Sequence, residues 1–166
     1  MLRSILYATD LGLYAPYVLQ HALSLAKAFG AELHVVHAVE PMGLFAESVL
    51  QTYLDEKTLQ ELRSKGLSRV MASIELRVLE GFRDELGEGQ QDLLLIRAVR
   101  VLQGDPPVVI LEEAQKLGVD LLVVGSHSHG ADLAVPLGRT AARIVQLSEA
   151  PVYLVPMLQH RSHGDL

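Results

Sequence analysis

The sequence alternates between short, almost wholly apolar runs and segments with helical periodicity. The apolar runs lie at residues 4–10, 31–41, 93–105, 119–126 and 151–156. A strand that is apolar along its whole length is covered on both faces, as in a parallel sheet with helices on either side. Because parallel crossovers are right-handed, the sequence predicts a doubly wound, five-stranded α/β sheet of the Rossmann-like type.

The segments between these runs carry helical signals. Pro16 fits the first turn of a helix whose apolar residues recur in steps of three or four: Tyr14, Val18, Ala22, Leu25 and Phe29. Residues 106–118 and 140–150 predict two further helices. Residues 42–92 are more polar and are predicted to be mostly helical, with the end of that region marked by glycines 81, 87 and 89.

The amino-acid composition is typical of a compact globular protein. Of 166 residues, 49% are hydrophobic and 20% charged, and this length favours one domain with a sizeable core. The formal charge of −6 and the lack of basic runs argue against a nucleic-acid partner. The absence of cysteine excludes disulfides and thiolate metal sites. No apolar run reaches the roughly 20 residues of a membrane helix, and the N-terminus turns polar too early for a signal peptide. We therefore expect a cytoplasmic protein without a membrane partner.

Ligands of doubly wound sheets bind beyond the carboxyl ends of the strands, where the strand order reverses. This rule brings Asp10, Ala38, Gly104 and Gly125 to one edge of the molecule. Three common signatures are missing: GxxxxGK[ST], GxGxxG after the first strand, and GxSxG. Their absence argues against a P-loop NTPase, a dinucleotide-binding fold and an α/β-hydrolase.

A glycine-containing stretch, VVGSHSHGADLAVPLGRTAARIVQ, joins the fourth strand to the last helix. Gly125 ends the strand and Gly138 lies just ahead of the helix. Glycine permits left-handed dihedrals and close approach of a ligand to the backbone. The first turn of a helix offers unpaired N–H groups and a partial positive charge. Gly138, Arg139 and Thr140 are therefore predicted to present amides, a guanidinium and a hydroxyl to a phosphate.

Several short motifs follow one another in a recognisable order. They are ATD at 8–10, LHVVHAVEP at 33–41, Gly-Asp-Pro at 104–106, VDLLVVG at 119–125 and APVYLVP at 150–156. Together they resemble the universal stress protein family over nearly the whole chain. The resemblance implies a sheet of the adenine nucleotide α-hydrolase-like type, in one domain over residues 1–156 followed by a loose tail at 157–166.

Nucleotide-binding members of that family carry the signature Gly-x2-Gly-x9-Gly-(Ser/Thr). Gly125 and Gly138 match its first and third glycines at the family spacing. Ser128 replaces the second glycine, and Arg139 replaces the Ser or Thr, with Thr140 one position later. Arg139 can add positive charge beside phosphates, or it can fold back onto an acid and block the pocket.

The resemblance also implies two groups of binding residues. The base and ribose would lie against the first group: Ala8, Asp10, Ala38 and Val124. The ribose and phosphates would lie against the second group: Gly125, Ser128, Gly138, Arg139 and Thr140.

By resemblance, the protein is expected to be a non-catalytic, ATP-binding stress-response sensor or regulator, with Mg²⁺ bound only alongside the nucleotide. The departures at Ser128 and Arg139 leave open a second function, a dimeric protein-interaction module that binds no nucleotide. A slow ATPase is a third alternative.

Dimers of this family commonly pair their last strands, which implies a homodimer, with a regulatory protein as a further partner. The strand concerned consists of Val152, Tyr153, Leu154 and Val155.

Asp10 and the histidines have further interpretations. Asp10 is either a ribose or metal ligand or a cap for the following helix. His127 and His129 suggest metal ligation, but alternate loop residues rarely converge on an ion without other ligands, so a solvated loop is favoured. His34 and His37 point to opposite faces of their strand, with His37 near the pocket edge.

Overall fold

The computed structural model describes residues 1–12, 14–40, 48–49, 52–61, 67–127 and 137–156. Its sheet has the strand order β3-β2-β1-β4-β5, and every neighbouring pair is parallel. The strands are β1 (Ser4–Ala8), β2 (Glu32–Val39), β3 (Ile96–Gln103), β4 (Leu121–Gly125) and β5 (Val152–Val155). This sheet confirms the predicted five-stranded α/β fold.

Helices connect the strands. They are α1 (Ala15–Phe29), α2 (Glu56–Glu61), α3 (Leu67–Leu86), a 3-10 helix (Gly87–Leu95), α4 (Pro106–Leu117) and α5 (Arg139–Leu147). No helix among the described residues is long and apolar enough to cross a membrane. The predicted tail, residues 157–166, lies outside the described residues.

Two apolar clusters show that the sheet is covered on both faces. Alternate residues of β1 point to opposite sides, so Ile5 and Tyr7 join the cluster under α1 and α3. Leu6 belongs to the other cluster, which includes Ile110 of α4 and Ile144 of α5. Helices on both faces make the sheet doubly wound, as the uniformly apolar strands predict.

The ends of α1 follow the sequence, but its buried face differs from the predicted one. Pro16 stands in its first turn, and Gly30 ends the helix in a left-handed conformation (φ 61°). Phe29, predicted on the apolar stripe, is 47% exposed. Val18 and Ala22 are buried as predicted, and the other buried positions are Ala15, Leu19, Leu23 and Ala26. The alanines let the helix lie close to the sheet, so the small residues face inward.

The second half of the polar region also departs from prediction. Gly81 lies inside α3 and does not end it, while Gly87 begins the 3-10 helix. The third strand starts at Ile96, because residues 93–95 still belong to that 3-10 helix. An exposed glycine inside a helix is tolerated at a cost of about 1 kcal/mol, so Gly81 marks no boundary.

The strand order reverses between β1 and β4. The chain first adds β2 and then β3 on one side of β1, and it crosses to the other side to form β4 and β5. A crevice is expected at the carboxyl ends of β1 and β4, because the connections leave those ends in opposite directions.

Candidate functional site

A cavity of about 230 Å³ opens at the carboxyl ends of β1, β2 and β4. Nine residues were predicted from the sequence to form the site, and seven of them line this cavity: Ala8, Asp10, Ala38, Val124, Gly125, Gly138 and Thr140. Arg139 does not line it, and Ser128 lies outside the described residues. The topology therefore gathers residues from four separate segments at the strand-order reversal.

Sequence reasoning missed several lining residues that a helical pattern would have found. Tyr14 and Val18 face the cavity from α1 and its N-terminal end, and Pro106 and Ile110 face it from α4. Both pairs are spaced i, i+4, the spacing of neighbours on one face of a helix. Glu40 also lines the cavity and is the first residue after β2, whereas Asp10 is the second after β1, so the rule that ligands bind beyond strand ends applies to Glu40 as well.

The loop between β1 and α1 is held by its own side chains. The Asp10 carboxylate accepts the N–H of Gly12 at 2.8 Å, and the Thr9 hydroxyl accepts the N–H of Leu11 at 3.1 Å. Leu11 adopts a left-handed conformation (φ 58°), which costs a non-glycine residue on the order of 1 kcal/mol. These two hydrogen bonds maintain the bend that directs Asp10 to the cavity.

Asp10 does not occupy the N-cap position of α1 in the part of the chain that the structure describes. The N-cap position of α1 is Tyr14, which makes no side-chain cap. The Asp10 carboxylate is occupied two residues away, at Gly12, before the helix begins. Asp10 lines the cavity, and its role as a ribose or metal ligand stays a prediction.

His37 is anchored at the cavity edge, as predicted. Its Nδ1 atom lies 2.8 Å from the carbonyl oxygen of Thr9. A carbonyl can only accept, so Nδ1 carries the proton in the neutral ring. Nε2 is then the ring nitrogen left for an occupant of the cavity, where it acts as an acceptor.

Tyr7 supplies a neutral phenol beneath the cavity. Its side chain is 1% exposed, and its hydroxyl donates to the carbonyl oxygen of Ala15 at 3.1 Å. Burial raises the pKa of the Tyr7 phenol well above its ordinary value, because the phenolate would lose its hydration. Tyr7 therefore stays protonated and connects β1 to the start of α1.

Neither Gly125 nor Gly138 adopts the left-handed backbone that glycine permits. Gly138 has φ −66° and ψ 160°, and Gly125 is not among the described glycines with positive φ. A Cβ atom at Gly125 would make only ordinary contacts, 3.5 Å from Val18 Cγ2 and 3.8 Å from the His127 carbonyl oxygen. The lack of a side chain at Gly125 still allows a ligand to approach the backbone closely.

The amide of Gly138 is not available to an anion. It donates to the carbonyl oxygen of Ser126 at 2.9 Å, which joins the end of β4 to the start of α5. The next three amides, at residues 139–141, belong to the first helical turn and have no acceptor within the helix. The amides that remain for an anion therefore begin at Arg139, one residue later than predicted, and Thr140 lines the cavity.

Arg139 folds back onto an acid, one of its two predicted alternatives. Its Nη2 lies 3.0 Å from Oδ1 of Asp105, with the two side chains 67% and 46% exposed. The pair does not plug the cavity, since neither residue lines it.

The predicted histidine pair gives no metal cluster in the described part of the chain. His127 Nδ1 lies 2.9 Å from the Ser126 hydroxyl, and His129 lies outside the described residues. No group of three or more His, Cys, Asp or Glu residues within the described ranges is arranged to hold a metal ion.

Comparison with known proteins identifies the family. The sequence model of the Universal stress protein family matches residues 1–156. The chain belongs to the universal stress protein family. A protein named "Universal stress protein in QAH/OAS sulfhydrylase 3'region", from Thermus aquaticus, is 33% identical over 156 residues, which are 93% of this chain and 99% of that protein.

Solved structures of universal stress proteins share the fold. The hypothetical protein MJ0577, whose sequence comes from Methanocaldococcus jannaschii, is 22% identical with a TM-score of 0.66, covering 95% of this chain and 97% of that one. A universal stress protein solved in complex with cAMP is 19% identical with a TM-score of 0.59, covering 93% and 97% of the two chains. At these identities the likeness establishes the architecture.

Proposed function

We propose that this universal stress protein binds an adenine nucleotide, with ATP as the main candidate, in the cavity at the ends of β1, β2 and β4. Its role would be that of a non-catalytic sensor or regulator in a stress response. The observation that carries the proposal is the convergence on one cavity of residues 8, 10, 38, 124, 125, 138 and 140. The family resemblance implies that these residues contact the base, the ribose and the phosphates.

The polar groups of the cavity suit the parts of a nucleotide. His37 Nε2 offers an acceptor for an exocyclic amine, and the Asp10 carboxylate offers acceptors for ribose hydroxyls. At the other side, the first turn of α5 presents amides and the Thr140 hydroxyl to phosphate. A base at β2 and a phosphate tail at α5 would therefore span the cavity. The structure solved with cAMP supports an adenine nucleotide as the ligand class.

Mg²⁺ would bind only with the nucleotide. Asp10 and Glu40 both line the cavity, and carboxylate oxygens are ligands that Mg²⁺ accepts. Two carboxylates leave most of an octahedral shell to water and phosphate oxygens. Phosphate oxygens of the nucleotide and water molecules would therefore supply the remaining ligands of the ion.

The proposed assembly is a homodimer through β5. This strand stands at one edge of the described sheet, and an unpaired edge is a template for another strand. Val152, Tyr153 and Leu154 are partly exposed, whereas Val155 is 1% exposed and could take part only through its backbone.

A second candidate function is a dimeric interaction module without nucleotide. Two observations favour it: the Gly138 amide is already bonded to Ser126, and Arg139 is paired with Asp105. Both contacts occupy hydrogen-bond donors that could otherwise bind a phosphate. This alternative predicts no affinity for nucleotides but the same fold and dimer.

Calorimetry and thermal unfolding with a matched pair of variants test the proposal. ATP, ADP, AMP and cAMP are titrated, with Mg²⁺ present, into the wild-type protein, Gly125→Ala and Gly81→Ala. We expect binding heat and a raised Tm for the wild type and Gly81→Ala, because a ligand that binds only the folded state stabilises it. Gly125→Ala should fold but lose affinity, since its new methyl group lies where the ligand approaches.

Two results would overturn the proposal. One is the absence of heat and thermal shift with all four nucleotides, which would leave the interaction module as the better function. The other is equal affinity of Gly125→Ala and the wild type, which would place the ligand elsewhere. The non-catalytic role predicts that phosphate release from ATP stays at the rate without protein; measurable turnover would instead indicate the slow ATPase.

A further inference from the structure

The Arg139–Asp105 ion pair bridges two helix starts at the rim of the cavity. Arg139 is the first residue of α5, and Asp105 is the N-cap residue of α4. Gly138 and Thr140, the chain neighbours of Arg139, line the cavity, and so does Pro106, the neighbour of Asp105. The pair itself stands outside the lining, with its nitrogen and oxygen 3.0 Å apart.

The Asp105 carboxylate is bonded to Arg139, although its position suits it to cap α4. Aspartate at an N-cap ordinarily accepts an N–H of the first helical turn, yet Asp105 makes no such bond. Its Oδ1 is bonded to Arg139 Nη2 instead. If Arg139 were withdrawn, a rotation of the Asp105 side chain could restore the cap, so α4 would gain one bond as the pair lost one.

Arg139 also has an alternative partner. A guanidinium carries five N–H donors in a planar fork that fits phosphate oxygens in a bidentate manner. The present pair is mostly exposed, and exposed ion pairs are weak and screened by salt. A phosphate beside the first turn of α5 would carry more negative charge than one carboxylate and would sit next to the same helix amides.

We propose that Arg139 and Asp105 form an exchange switch that favours nucleotides with a long phosphate tail. The proposal rests on the nucleotide site described above and concerns its selectivity. When the terminal phosphates of a nucleoside di- or triphosphate reach the rim, Arg139 leaves Asp105 for the phosphate, and Asp105 turns to cap α4. A monophosphate is too short to reach Arg139 and binds without breaking the pair. Asp105 is thus a competitor that sets the affinity for the polyphosphate.

Calorimetric titration of ATP and AMP into six proteins tests this switch. Four of them are the wild type, Asp105→Asn, Arg139→Gln and the double variant, and the other two are controls. Asparagine keeps the capping ability of position 105 while removing its charge. The controls change charge equally on the same helices without touching the pair: Glu112→Gln on α4 and Arg143→Gln on α5, both at exposed positions.

We expect the variants to change the affinity for ATP in different directions and to leave the affinity for AMP unchanged. Asp105→Asn should raise ATP affinity severalfold and leave AMP affinity unchanged, because Arg139 is then free of its competitor. Arg139→Gln should lower ATP affinity by about tenfold, the usual scale for a charge-assisted hydrogen bond, and again spare AMP. The double variant should match Arg139→Gln, since Asp105 acts only through Arg139. Neither control should change the ATP-to-AMP ratio.

Different failures point to different conclusions. If the wild type binds both nucleotides but Arg139→Gln leaves the ATP-to-AMP ratio unchanged, the switch is wrong and the nucleotide site stands. The switch is also wrong if Glu112→Gln raises ATP affinity as much as Asp105→Asn, because net charge then explains the gain. If no chain of the set binds either nucleotide, both the site and the switch are overturned.

Discussion

His37 and Thr9 connect the second strand to the end of the first: the imidazole Nδ1 atom lies 2.8 Å from the Thr9 carbonyl oxygen. Because the carbonyl has no proton to give, the contact determines which nitrogen of the ring is protonated. The cavity therefore meets a histidine with a defined acceptor nitrogen.

This relationship predicts the tautomer of His37. At a pH where the ring is neutral, long-range ¹⁵N–¹H spectra should show the proton on Nδ1 and none on Nε2. His37→Gln identifies the resonance by its disappearance. A spectrum with the proton on Nε2 would contradict the contact with Thr9.

A side chain at Gly104 should destabilise the fold, in contrast to one at Gly81. It has φ 153°, and a Cβ atom built there would overlap Cγ2 of Val109. Gly104→Ala is expected to lower the free energy of unfolding by about 1–3 kcal/mol, from overpacking and backbone strain. Chemical denaturation monitored by circular dichroism measures the loss.

Two variants serve as comparisons for Gly104→Ala. Adding Val109→Ala to it should recover part of the lost stability, because the overlap disappears while the backbone strain stays. Gly81→Ala should raise stability by about 1 kcal/mol, since Gly81 lies within α3 and a Cβ atom there meets nothing within 4 Å. Equal stability of Gly104→Ala and the wild type would refute the steric account.

Asp120 should make stability depend on pH in the acid range. Its Oδ2 accepts the backbone N–H groups of Arg3 at 2.9 Å and Ser4 at 3.1 Å, which tie the start of β1 to the turn before β4. These N–H groups hold the pKa of the Asp120 carboxyl below its ordinary value of about 3.8. The folded state therefore favours the carboxylate. The resulting stability is present above the unfolded-state pKa and is lost as the pH falls through the lower, folded-state pKa.

Comparison of the wild type with Asp120→Ala measures this effect. Asp120→Ala should unfold more easily at pH 7, where the carboxylate is charged and bonded. The difference in unfolding free energy should begin to shrink as the pH falls below about 3.8, where the carboxyl of the unfolded chain is protonated, and it should level off below the lower pKa of the folded state. A difference that stays constant from pH 7 to pH 2 would show that the carboxylate charge is irrelevant.

The proposed dimer can be broken at the open edge of β5. The carbonyl oxygens of Pro151 and Val155 accept N–H groups of Leu122 and Ser126 on the β4 side. By alternation along a strand, the backbone of Val152 and Leu154 faces the opposite, open edge. Val152→Pro removes one outward N–H without touching the β4 ladder, so it should shift the protein from dimer to monomer in light scattering.

The shape of the melting curve provides the control for Val152→Pro. A cooperative transition would show that the variant is folded, so that a loss of mass reports the interface alone. Tyr153 is less suited to this test, because its hydroxyl lies 2.9 Å from Nδ1 of His21 on α1 and contributes within the chain. A wild-type protein that is monomeric at micromolar concentration would rule out the dimer.

The architecture could be predicted because the signals for it are local. Strands that are apolar along their length predict a sheet covered on both faces. Pro16 and Gly30 indicate where α1 begins and ends. The rule for doubly wound sheets then places Asp10, Ala38 and Gly125 at one cavity.

The finer features depend on contacts between distant residues and were not predictable. Gly138 looks like a free amide in sequence, but its hydrogen-bond partner is the Ser126 carbonyl, twelve residues earlier. Arg139 meets Asp105, 34 residues away, and only the packing of α4 beside α5 brings them together. Phe29 follows the helical spacing but is the last residue of α1, where its side chain is 47% exposed.

The most direct measurement of the central claim is a titration of ¹⁵N-labelled protein with ATP, followed by two-dimensional NMR. We expect the amide signals of Ala8, Ala38, Gly125 and Thr140 to shift together and to saturate. Those of Gly30 and Gly118, which end α1 and α4 away from the cavity, should stay in place. Signals that do not move at all, or shifts centred on Leu111 and Leu147 in the groove between α4 and α5, would contradict it.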